Sequence, residues 1–246
     1  MTDPVTRIAR AYPDRVEVRG RDLTGDLMGR LTFTEYVHLL LTGEEPSDEQ
    51  RFFLDLLLVA IAEHGMMPTS VAARMTLAAD PRSLQGAVAA GILGAGPVVL
   101  GTAEECALLL DELRETGRSP EEAARELHAA GAKIPGFGHP VHRPVDPRAA
   151  RILELADEHG VGGENVALAR RLCDAVAVAW GKPMPMNVSM PIAAVLLDLG
   201  YDAETVKAVP ILARTAGLLA HLAEEREAPV GLRLARAAED AVEYEP

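Results

Sequence analysis

The chain has 246 residues, of which 48 % are apolar and 25 % charged, and 37 acidic against 24 basic side chains give a formal charge of −13. That length and apolar content suit one large domain, or one domain with a small lobe, around a true core. The acidic balance argues against a nucleic-acid or membrane-surface partner but leaves room for a local basic pocket that takes an anionic ligand.

The amino terminus, "MTDPVTRIARAYPD", lacks the apolar stretch of a signal peptide, and the longest apolar run, "AVAAGILGAG", is too short to span a bilayer. A soluble cytoplasmic protein is expected. "RVEVRG" at 15–20 alternates and predicts one short strand. Thr32–Glu35 and Ser47–Gln50 are capping boxes before apolar-periodic runs, and predict helices over 33–42 and 48–63. Further helices are predicted over 68–78, 81–94, 102–116, 120–130, 147–159, 163–180, 188–199 and 203–226. Ser119-Pro120 and Asp146-Pro147 start two of them, and Gly131, Gly160 and Gly200 stop three, where a left-handed residue is favoured. The fold class is therefore all-α. The segment "SLQGAVAAGILGAGPVVLG", 83–101, carries almost no charge and many glycines, so it is expected to be buried all round, within this chain or between two copies in a homodimer. Cys106 and Cys173 lie in apolar helical patterns without metal spacing and read as reduced core thiols.

Several polar residues stand outside this apolar pattern. "GFGHPVHRPVDPR" at 136–148 holds His139 and His142 on a proline-stiffened loop, with Arg143 beside them and Arg148 just inside the following helix. His64 ends a helix, and Arg214 is embedded in an apolar one, where a buried guanidinium needs an anion such as Glu224 or a bound acid. Arg233 and Arg236 follow near the end. Histidines at loops between buried helices, with arginines near, suit a polycarboxylate: arginine forks grip carboxylates and histidine moves protons near neutral pH. His38, His128 and His159 read as ordinary helix-surface or helix-end residues. A zinc site at His139 and His142 is not expected, because Pro140 and Pro144 keep the pair off a helix and a third ligand would have to come from His64.

At these residues the chain resembles the citrate synthase superfamily, over about Arg19 to Arg236. "RGRDLTGDLMGRLTFTEYVHLLLTGEEPSDEQ", "KIPGFGHPVHRPVDPRA" and "ILARTAGLLAHLAEE" are similar to three of its characteristic segments. Within it the chain looks nearest to the compact citryl-CoA lyase type. The resemblance implies a nearly all-α homodimer with a large helical domain, 1–130 and 200–246, and a small mobile helical domain, 131–199, with the substrate cleft between them. It implies that His64 and His139 hold the oxoacid, with His139 at its reacting oxygen. Arg148, Arg214 and a partner-subunit Arg236, or Arg233, would clamp carboxylates. Arg143 would meet coenzyme A phosphate. His142 stands where the family has tyrosine.

Two departures shape the functional expectation. Val99 occupies the place of the synthase histidine that bonds the thioester oxygen, and Ser189 replaces the aspartate that moves a proton at the acyl carbon. Serine is far too weak a base for that proton, and the loss of such help is worth about 10²–10⁴ in rate. Neither Glu104 nor Glu105 is placed near by the sequence. Cleavage asks less. The expected activity is that of a citryl-CoA lyase-like enzyme, splitting citryl-CoA or a related 3-hydroxyacyl-CoA to acetyl-CoA and oxaloacetate, or another oxoacid, by a metal-free retro-aldol step. A coenzyme A thioester is then the substrate, and no bound cofactor is expected. The alternatives are a synthase-like enzyme on another CoA thioester, and a non-catalytic homologue that binds CoA and carboxylates.

Overall fold

The computed structural model describes residues 4–139 and 141–245, so Met1–Asp3, Pro140 and Pro246, including the proline expected to stiffen the loop after His139, lie outside the described residues. Among the described residues are eleven α-helices and a three-stranded sheet. The chain divides into two compact units, 1–56 and 57–246, with the division inside one helix.

The first unit holds the sheet: β1 (Ala9–Ala11), β2 (Val16–Val18) and β3 (Arg21–Asp22) form an antiparallel meander with Ala9 opposite Val18 and Val18 opposite Arg21. The alternating stretch supplies only β2; its partners are too short and polar to show a period. A π-helical turn, Leu23–Leu27, follows, and α1 (Phe33–Thr42) starts at the expected Thr32 box, in which Thr32 and Glu35 satisfy each other's backbone N–H. Val18, Leu27 and Leu39 form a small core. His38, expected on the surface, is buried within α1, and burial holds its imidazole below the ordinary value. Helix α2 (Asp48–Ala62) carries the chain into the second unit.

The second unit is helical: α3 (Pro68–Ala79), α4 (Leu84–Leu93), α5 (Thr102–Thr116), α6 (Pro120–Ala129), α7 (Pro147–Glu158), α8 (Glu164–Ala179), α9 (Ser189–Asp198), α10 (Ala203–Glu227) and α11 (Gly231–Asp240). Gly131, Gly160 and Gly200 all take the left-handed conformation expected of helix stops. Helix α9, whose residues 189–197 are all buried, is the axis of this unit and packs against α5, α7, α8 and α10. Helix α10 is long and apolar enough to cross a membrane, but it packs on α3, α4, α5 and α9 and buries Arg214 and Glu225, as a core helix does.

Two elements differ from expectation. Helix α4 starts at Leu84 rather than at 81, because 80–83 close a turn with Ser83 N–H on the Asp80 carbonyl, and residues 83–101 are not enclosed by this chain alone. Leu93 and Val98 then stand 86 % and 77 % exposed. Helix α11 went unpredicted because its first residues carry no capping side chain. Its cap comes from α10, where Glu225 Oε1 accepts the Val230 and Gly231 N–H groups at 2.9 and 2.7 Å.

Candidate active site

The loop before α7 is stitched to the segment before α9. Gly138 N–H donates to the Pro185 carbonyl and Asn187 N–H to the Gly136 carbonyl, both at 2.8 Å. Asn187 Nδ2 donates to the Gly138 carbonyl at 3.1 Å, and its Oδ1 accepts the Ser189 N–H at 3.1 Å. Gly136 has φ +80°, and a Cβ there would lie 2.8 Å from both Cys106 Sγ and Met190 Cβ. Only glycine lets the loop press this closely on α5 and α9. Asp146, fully buried, caps α7 through the Arg148 N–H at 3.0 Å and also accepts the Val188 N–H at 3.2 Å.

These ties present His139 and His142, and His64 arrives from the turn between α2 and α3. All three are half-buried. Ring centroids lie 5.3 Å apart for His64 and His139, 5.6 Å for His64 and His142, and 4.4 Å for His139 and His142. His139 Nδ1 accepts the backbone N–H groups of Val141 and His142, at 3.1 and 2.9 Å. Two donors on Nδ1 leave the ring proton on Nε2, so the free edge of His139 is a hydrogen-bond donor. Burial lowers the His139 and His64 imidazoles below the ordinary histidine value. Neighbouring His142 adds to this at His139, and Arg148 and His142 add to it at His64. Both rings are therefore neutral at pH 7.

One ring nitrogen from each histidine falls in a group spanning no more than 4.8 Å, which could hold a metal ion. His64 thus supplies the third nitrogen that a site at the loop pair would need. The donor set still fits a metal poorly. Coordination through His139 Nε2 requires a proton on Nδ1, and that proton would face two backbone N–H groups already pointing at it.

The arginines divide. Arg148 is forked onto Asp146, Nε to Oδ1 at 3.1 Å and Nη2 to Oδ2 at 2.9 Å, so part of its hand is taken by an internal carboxylate. Burial raises the Asp146 carboxyl, but the Arg148 hydrogen bonds and charge outweigh it and leave it below the usual range. Arg214 is 3 % exposed and donates through Nη2 to the Ile61 carbonyl at 3.3 Å, while its buried Nε and Nη1 have no partner among the described residues. Glu224, one anion the sequence offered it, pairs with Arg74 instead. Both Arg148 and Arg214 act electrostatically on His64. Arg143, Arg233 and Arg236 are exposed, and Arg236 lies on α11 with nothing among the described residues tying it to the histidines.

Ser189 is buried at the first turn of α9, tied to the His139 loop through Asn187. Val99 closes a turn with Gly96, their N–H and carbonyl groups bonding at 2.8 and 3.0 Å. Glu104 is paired with Lys207 at 2.7 Å and Glu105 is exposed, so neither is shown to stand in for the missing carboxylate. Asp146 and Asn187 hold the site together, and in the sequence Asp146 shows only as a helix cap while Asn187 carries no signal of its own.

The described residues thus form a helical protein in which three histidines cluster and one of them, His64, lies within electrostatic reach of the buried Arg214. The citrate synthase C-terminal domain profile matches residues 5–238, and the chain belongs to the citrate synthase family. Citryl-CoA lyase from Hydrogenobacter thermophilus superimposes with a TM-score of 0.89 at 31 % identity, covering 100 % of this chain and 95 % of that one. Citrate synthase from Thermotoga maritima aligns with a TM-score of 0.67 at 25 % identity, over 79 % of this chain and 53 % of that one. Citrate synthase 2 of Bacillus subtilis is 30 % identical over 75 % of this chain and 50 % of its own length. The chain thus spans about half the length of the curated relatives it matches. An ATP citrate lyase from Methanothrix soehngenii, solved with citrate and coenzyme A, shares the fold with a TM-score of 0.82 at 20 % identity, over 100 % of this chain and 42 % of that one.

Proposed function

We propose that the protein cleaves citryl-CoA, or a related 3-hydroxyacyl-CoA, to acetyl-CoA and an oxoacid by a metal-free retro-aldol step. The observation that carries this reading is the buried Arg214 guanidinium, with Nε and Nη1 unpartnered among the described residues, within electrostatic reach of His64, which clusters with His139 and His142. A buried cation with two orphan donors is a carboxylate receptor. The match with citryl-CoA lyase over nearly the whole of both chains supports the choice of reaction.

His139 Nε2–H would donate to the substrate's hydroxyl oxygen, and most strongly while that oxygen bears alkoxide charge on its way to the oxoacid carbonyl. This sharpens the expectation from sequence, which put His139 at the reacting oxygen; with its proton on Nε2 it would donate there. Neutral His64 would take the hydroxyl proton. The carbon–carbon bond then breaks, its electron pair passes to the acetyl-CoA enolate, and the enolate takes a proton from water. His64 returns its proton to solvent, so the balance is citryl-CoA in and acetyl-CoA plus oxaloacetate out. Arg214 and the free edge of Arg148 would hold carboxylates, and Arg143 a coenzyme A phosphate. In a homodimer, exposed Leu93 and Val98 would be covered and Arg236 would reach the partner's site; 131–199 would serve as the smaller mobile part.

Ser189 and Val99 make condensation unfavourable, since no carboxylate is shown to reach Ser189. The test is to supply citryl-CoA, or acetyl-CoA with oxaloacetate, and to follow oxaloacetate and free thiol separately. Oxaloacetate from citryl-CoA without thiol supports the lyase. Thiol from the second mixture would indicate a synthase or hydrolase, and citrate binding without turnover a non-catalytic homologue.

A further inference from the structure

A row of polar groups runs from the core of the second unit to the turn that carries His64. Arg74 on α3 is 1 % exposed. Its Nη1 donates to Glu225 at 3.0 Å and its Nη2 to Glu224, so two carboxylates already balance its charge. Its Nε–H nevertheless points at His221 Nδ1, 3.0 Å away on α10. Arginine Nε is a donor only, so the His221 ring proton must sit on Nε2. That atom faces Glu63 Oε1 at 3.0 Å. The same carboxylate oxygen accepts the backbone N–H of His64 at 2.8 Å and of Gly65 at 2.6 Å. Glu63 also bears electrostatically on Arg214. The close pass of α10 under the end of α2 makes this possible: a Cβ on Gly217 would clash with the Ala62 carbonyl oxygen.

We infer that Arg74, His221 and Glu63 form a positioning relay that fixes His64 and the charge around Arg214 for a carboxylate ligand. Each hydrogen bond in the relay dictates the direction of the next. His221 is not needed to neutralise Arg74, which leaves orientation of Glu63 as its task. The inference rests on the three-histidine site being the place where ligand is held, and none of the three relay residues touches that ligand.

The test compares His221→Ala, His221→Gln and Glu63→Ala in the full chain. Its readouts are the His64 ring C–H resonance, assigned by its loss in His64→Gln, and calorimetric affinity for citrate. Glutamine at 221 can still accept from Arg74 and donate to Glu63, so that variant should keep both readouts near wild type. His221→Ala and Glu63→Ala should move the His64 resonance and weaken citrate about tenfold, the worth of one charge-assisted hydrogen bond. The Glu63 side chain is 47 % exposed, so its removal tests the relay even if His221→Ala unfolds. An unmoved His64 resonance with unchanged citrate affinity in Glu63→Ala would overturn the inference, as would a glutamine variant as damaged as the alanine one. If the wild-type protein binds no citrate, the carboxylate reading falls, and the relay stands or falls on the His64 resonance alone.

Discussion

Replacing Arg214 by leucine should make the unliganded protein more stable while removing its grip on a polycarboxylate. The guanidinium is 3 % exposed, with Nε and Nη1 unpartnered and one 3.3 Å hydrogen bond to the Ile61 carbonyl. Each buried unsatisfied donor costs about 1–3 kcal/mol and a made hydrogen bond contributes about 1 kcal/mol, so leucine should gain about 1–5 kcal/mol. For a chain of this size that raises Tm by at least about 2 °C. Truncating a buried charge that pairs with a ligand carboxylate costs about 2–5 kcal/mol, or about 30- to 5000-fold in Kd for citrate. Scanning calorimetry without ligand and titration calorimetry with citrate measure the two effects on the same preparation. A variant with lower Tm and unchanged citrate affinity would refute the assignment of Arg214 as a receptor, and would mean that its environment already satisfies it.

Asp146→Ala removes the partner of Arg148, the cap of α7 and the acceptor of Val188 N–H, and should cost about 3–5 kcal/mol in denaturant unfolding, as breaking a buried pair does. The Asp146 and Glu225 carboxyls are both raised by burial but held below their ordinary range by hydrogen bonds, to Arg148 in one case and chiefly to Gly231 and Val230 in the other. Their stabilisation is fully present above the unfolded carboxyl values of about 4 and is lost as pH falls through the lower folded values. Tm should therefore fall in two stages, first below about pH 6.5, where the unfolded chain takes up protons that buried His38 and half-buried His64 and His139 resist, and again below about 4, and Asp146→Asn should flatten the second stage. Gly136→Ala places a Cβ 2.8 Å from Cys106 Sγ and Met190 Cβ at a positive φ, and should lower stability by about 1–3 kcal/mol in the same unfolding assay. Ser189→Asp returns a carboxylate to the start of α9 and should raise thiol release from acetyl-CoA and oxaloacetate by about 10² or more.

Helix starts and stops were legible wherever the signal lay in the local chain. Thr32, Ser119 and Asp146 cap their helices, and Gly131, Gly160 and Gly200 close theirs. Signals supplied from elsewhere were not legible. Helix α11 is capped by Glu225 of the preceding helix, and β1 and β3 are defined only by pairing with β2. The same division runs through the site. The polarity of "GFGHPVHRPVDPR" and the apolar surroundings of Arg214 marked residues that the structure does place near one another, His64, His139, Arg148 and Arg214. What spacing along the chain could not give is the direction of hydrogen bonds. The Nε2–H tautomer of His139 comes from backbone N–H groups that its own turn folds back, and the fork of Arg148 onto Asp146 from a capping side chain with a second use. His38 misled in the opposite sense, since nothing in its helix's own pattern showed that it would be buried.

The most direct test of the central claim is a single-turnover reaction with citryl-CoA, run on chelator-treated protein beside the His139→Ala variant. The account predicts oxaloacetate at the untreated rate from the wild-type protein, and a loss of about 10²–10³ from the variant, the cost of removing one donor to a developing oxyanion. Oxaloacetate release that stops with the chelator, or that survives intact in His139→Ala, would contradict it.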